Sequence, residues 1–69
     1  MSPHAHLVID TLRSYRRLCA RQLASVLRIG IEDTYAALVE LDALGLAWPQ
    51  PTMSAVPGVG RARYWRART

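Results

Sequence analysis

Lysine is absent from this 69-residue chain, and all nine of its positive side chains are arginine. A single cysteine, Cys19, rules out an internal disulfide and fits a reducing compartment. No apolar run approaches the roughly 20 residues that a membrane span needs, and no basic-then-apolar leader opens the chain. A cytoplasmic protein without a membrane partner is expected. Catalytic combinations are missing as well. There is no Ser-His-Asp set and no carboxylate pair in a plausible cleft, and Gly58-Val59-Gly60 opens a strand rather than a phosphate-binding helix. His4 and His6 are two residues apart, so they point to different sides of a helix, and Cys19 is too distant to complete a metal set. Neither an enzyme nor a metal or cofactor site is expected. The length leaves room for one domain, residues 1–69, with a core of about a dozen side chains.

About half of the residues are apolar, which is too many for a chain that stays disordered. The net charge is +4 and the pI about 10.2, which favours an anionic partner, most commonly nucleic acid. The charge is also segregated. Residues 31–46 hold Glu32, Asp33, Glu40 and Asp42 and no arginine, whereas all nine arginines lie outside with Asp10 as the only acid. Arginine suits phosphate because its planar fork bonds two oxygens at once. A genome biased toward arginine codons would leave the same composition, so the placement of charge says more than its identity.

Ser2 followed by Pro3 is a standard helix opening. Ala5, Val8, Ile9, Leu12 and Tyr15 then repeat at spacings of three and four, which predicts a helix at about 3–16. Leu18 falls in a short extended link. Ala20, Leu23, Ala24 and Leu27 mark a second helix at about 20–28, capped by Cys19, a poor capping residue. Gly30 turns the chain into a third helix at about 31–45. Glu32 and Asp33 complement the dipole at its start, Thr34, Leu38, Leu41 and Leu44 form its buried stripe, and Gly45 ends it. Leu46-Ala47-Trp48 is a short strand that Pro49 and Pro51 stop. Residues 49–60, with Pro57, Gly58 and Gly60, are expected to be irregular. In the last segment Trp65 and Ala67 share one face and Tyr64, Arg66 and Arg68 the other, the period of a strand. The two strands make a hairpin with a long tip, and Trp48 and Trp65 are expected to face the core together.

The run ARQLASVLRIGIEDTYAALVELDALGL resembles the winged helix-turn-helix family, at Leu23, Ala24, Leu27, Ile29, Tyr35, Leu38, Leu41, Leu44, Gly45 and Leu46. The ending YWRART resembles the last strand of that family's wing. The resemblance implies a mainly α fold of three helices with a small β-hairpin, the wing, over about 46–67. It also implies that helix two crosses a DNA backbone, helix three enters the major groove and the wing touches phosphates. On that basis Arg21 and Gln22 are placed for phosphate, and Arg28 reaches the backbone from a turn where the family often has glycine. Glu32, Asp33, Tyr35 and Ala36 stand at the groove-facing start of helix three. Arg61, Arg63, Arg66 and the terminal Arg68 supply the wing's charge. Glu32, Asp33 and Ala36 depart from the pattern, because DNA-reading members tend to carry Ser or Thr early in this helix and a basic residue after the tyrosine.

Two functions remain open at this point. One is a small DNA-binding regulator of transcription, a homodimer on a two-fold site, paired through helix one or the apolar face of helix three. The other is a protein-interaction module that docks Tyr35, Val39 and Ala43 into a partner. The outward face of helix three is expected to hold Glu32, Ala36, Val39, Glu40 and Ala43, with Tyr35 at its edge. The bland alternatives are an ordinary helix with small outer residues, and wing arginines that merely keep a strand edge from aggregating.

Overall fold

The Ser2 side chain accepts the Ala5 N–H at 3.2 Å, starting a helix in which Pro3 takes the first turn. In the computed structural model, which describes residues 1–68, this helix is α1, Pro3–Ser14. It buries Ala5, Val8, Ile9 and Leu12, as their spacing predicts. It ends two residues earlier than expected. Tyr15 is extended and exposed, so it does not belong to the buried stripe. Thr69, the last residue of the expected domain, lies outside the described residues.

Leu18–Cys19 forms β1, and α2 follows directly at Ala20–Leu27. The weak cap is reinforced from inside the helix: the Cys19 N–H donates to Gln22 Oε1 at 3.0 Å. α2 stops at Arg28, whose left-handed backbone (φ 55°) reverses the chain. Gly30 precedes α3, Ile31–Ala43, and the buried Thr34 hydroxyl donates back to the Gly30 carbonyl at 3.0 Å. α3 buries Thr34, Ala37, Leu38 and Leu41. Leu44, expected in this stripe, is 54% exposed. At Gly45 (φ 72°) the chain doubles back. The Gly45 N–H bonds the Asp42 carbonyl at 3.0 Å, and the Leu46 N–H bonds the Leu41 carbonyl at 2.9 Å. That reversal sends Leu46, not Leu44, against the core.

β2 (Ala47–Val56) and β3 (Gly60–Ala67) complete an antiparallel sheet of order β1-β3-β2. The expected irregular stretch 49–60 is therefore mostly strand. Prolines are tolerated because β2 lies at the sheet edge, where not every N–H is needed. They leave a mark: Pro49 pairs with Trp65 but Met53 with Arg63, so two extra residues bulge out of β2. Only Pro57-Gly58-Val59 forms the tip, closed by the Val59 N–H on the Val56 carbonyl at 3.0 Å.

Trp65 and Ala67 pack against the core with Leu18, Leu27 and Leu46. Trp48 does not join them. It pairs with Arg66, one residue out of step with Trp65, so it occupies the outer face of the sheet. The core lies between the three helices and the inner face of the sheet. Three helices followed by a small antiparallel hairpin sheet constitute a winged helix-turn-helix fold, the architecture expected from the sequence.

Candidate nucleic-acid interface

A strand turns alternate side chains to opposite faces, so Arg61, Arg63 and Trp65 share one side of β3. The first turn of α2 carries Arg21 and the second turn of α3 carries Tyr35. Packing of the helices against the sheet brings these groups together. Arg21, Tyr35, Met53, Arg61, Arg63 and Trp65 line a single open groove of about 340 Å³. No carboxylate lines it. The three arginines are exposed, and Trp65 is half-buried beside them. Three guanidinium groups and a phenol around one acid-free groove make a surface that attracts phosphate and can donate several hydrogen bonds to it.

The other residues singled out from the sequence are distributed differently. Gln22 is half-buried and its side-chain oxygen is committed to the Cys19 N–H, so it caps α2. It borders a neighbouring cleft with Ser25, Val26 and the wing tip rather than the groove itself. Arg28 is exposed on the turn between α2 and α3 and does not line the groove. Glu32 and Ala36 are exposed on α3 outside it. Arg66 has the opposite parity on β3 and lines a separate cleft with Arg16 and Arg17. Arg68 lies over the ring of Trp48 at 5.2 Å.

On α3, Tyr35, Val39 and Ala43 are exposed, Val39 to 65%. Glu40 departs from the expected outward face. It is partly buried, and the Ser2 N–H donates to its carboxylate at 2.8 Å. That hydrogen bond holds the Glu40 carboxyl below the usual glutamate range. Among the described residues the one ion pair joins Arg13 to Asp10, at 4.0 Å on the surface, where it contributes little. Among the described residues no groove arginine lies within ion-pair distance of a carboxylate.

Met53 and Trp65, which line the groove, were not anticipated as part of the site. Their signal was weak: Met53 lies in the stretch expected to be irregular, and Trp65 reads as core. The pairing of Arg16 and Arg17 with Arg66 was also missed, although the parity of β3 separates Arg66 from Arg61 and Arg63 in the sequence itself.

Among the described residues no group of three metal-ligating side chains comes together, and no helix is long and apolar enough to cross a membrane. The fold and groove define the chain as a winged helix-turn-helix protein in architecture. No protein-family model and no curated protein matches the sequence. Solved structures do match it. One is a possible transcriptional regulator from Methanosarcina mazei Go1, with a TM-score of 0.79 over 100% of this chain and 57% of that chain. At 10% sequence identity the similarity is one of fold. The chain thus spans little more than half the length of that regulator.

Proposed function

We propose that this chain is a DNA-binding regulator of transcription that grips duplex DNA with the arginines of its groove. The observation that carries the proposal is the convergence of Arg21 from α2 with Arg61 and Arg63 from β3 in one groove lined by no acid. Phosphate neutralisation supplies most non-specific affinity for DNA, and Arg is well suited to it. Arg28 adds a contact from the turn. The start of α3 lies beside the major groove, where Tyr35 and Ala36 touch base edges and Glu32 accepts from a cytosine amino group. The neighbour described as a possible transcriptional regulator supports a role of this kind. The protein acts in the cytoplasm as a homodimer on a two-fold site, without catalysis.

A salt titration of duplex binding tests this. The logarithm of affinity should fall linearly with that of salt, by about 0.9 per phosphate contact, and Arg61→Ala with Arg63→Ala should flatten the slope by about one to two units. Duplex binding that is undetectable at low salt would reject the proposal.

The exposure of Val39 beside Tyr35 and Ala43 favours a second reading, in which this face of α3 docks into a protein partner. Val39→Glu should then abolish a complex or an oligomer while leaving the fold intact.

A further inference from the structure

We infer that the outer face of the sheet is a second site for a phosphate backbone, so that one molecule holds two duplex segments; this rests on the proposed DNA binding at the groove. Arg16 and Arg17, from the link before β1, and Arg66 of β3 line one cleft of about 190 Å³. None of the three is paired with a carboxylate among the described residues. Guanidinium groups that share a small cleft repel one another, and a polyanion turns that repulsion into attraction.

Two arginines of this face, Arg17 in the cleft and Arg68 beyond it, also lie over aromatic rings. The Arg17 guanidinium lies 4.7 Å from the centre of the Tyr64 ring, and that of Arg68 lies 5.2 Å from the Trp48 ring. Stacking occupies the flat face of a guanidinium and leaves its N–H edge free to donate. Phosphate oxygens need that edge. Because the arginines already cover the rings, this geometry favours a backbone ligand over stacked single-stranded bases, which would need bare rings.

The two sites cannot serve one straight duplex. Arg61 and Arg63 project from one side of β3 and Arg66 from the other. A short duplex seated in the groove is too stiff to bend round to the opposite side. The second site therefore takes a second segment.

The test is capture of a fluorescent duplex of about 16 base pairs by the same unlabelled duplex on beads, at low salt, alongside anisotropy of single-duplex binding. Wild-type protein should capture the second duplex. Arg16→Ala with Arg17→Ala should cut capture about fivefold or more while groove affinity stays within about twofold. Arg66→Ala should reproduce the loss from a different element, with circular dichroism confirming that both variants are folded. Wild-type capture that survives both variants would overturn the second site and would point to bridging by a dimer of grooves. Normal anisotropy with no capture would also overturn it, leaving the groove proposal standing. Preferential capture of an oligothymidine strand, with quenching lost in Trp48→Phe, would replace it with a single-strand platform. Absence of any duplex binding would reject both proposals.

Discussion

The backbone N–H of Ser2 donates to the carboxylate of Glu40 at 2.8 Å, joining the start of α1 to the last turn of α3 across 38 residues of sequence. The same Ser2 caps α1 through its side chain, so one residue secures both the helix start and its seat on α3. The contact ties α1 to the helix that carries Tyr35 at the groove.

This contact makes stability depend on pH. Because the Ser2 N–H lowers the Glu40 pKa in the folded state, the folded chain binds fewer protons than the unfolded one through that range. The stabilisation is complete above the ordinary glutamate range, near about pH 4.3, and is lost as pH falls through the lower folded value. Glu40→Gln should melt at a lower temperature than wild type at about pH 7, and the gap should narrow as pH falls below about 4.3. Paired thermal melts across that range check it. A gap that is constant with pH would mean that the carboxylate's charge is not what matters.

Adjacent residues on α3 should behave oppositely. Leu38 is fully buried in the core, whereas its neighbour Val39 is largely in solvent. Leu38→Ala should cost about 2–5 kcal/mol in urea unfolding, which for a domain this small is a large part of its total stability. Val39→Ala should change it by less than about 0.5 kcal/mol. Comparable losses at both positions would mean that Val39 is covered in solution by a second molecule.

Much of the architecture was readable because α1 and α3 each bury one face, and burial of one face writes a period of three to four into the sequence. Ser2 and Gly45 mark the ends for the same local reasons that operate in the structure, whereas Gly30 caps α3 with an ordinary backbone (φ −64°) and the left-handed turn falls at Arg28. The errors lie where tertiary context decides. Pro49 and Pro51 look like strand breakers, and only the sheet order puts them on an edge where they are harmless. The pairing of Ala47 with Ala67 and of Trp48 with Arg66 then sets the register, and Trp48 occupies the face opposite to Trp65. For the groove, the arginines were visible as charge, but the convergence of Arg21 with Arg61 and Arg63 depends on how α2 packs against the hairpin. The partner of Glu40 could not be read locally at all, because it lies in a distant part of the chain.

Gly45 offers a clean measure of backbone strain. Its φ is 72°, and a Cβ added there would meet nothing within 4 Å. Gly45→Ala should therefore cost only the left-handed backbone penalty, about 1–2 kcal/mol, with no packing term. A loss well above that would show that the reversal into β2 fails as a unit rather than at one residue.

Arg28 presents the reverse case, and it separates stability from binding. It ends α2 at φ 55° and ψ 45°, where a side chain is strained and glycine is not. The arginine side chain is exposed and has no ion-pair partner among the described residues, so the fold gains little from it. Arg28→Gly should raise stability by about 1 kcal/mol, or roughly 4–8 °C in melting temperature for a domain of this size. If Arg28 supplies a phosphate contact, the same variant should bind duplex DNA more weakly, with the salt slope reduced by about 0.9. Arg28→Lys keeps the charge and the strain, so it should retain most of the affinity and show no gain in stability. Higher stability with unchanged affinity in Arg28→Gly would remove Arg28 from the DNA-binding surface and leave its strained backbone without a binding role.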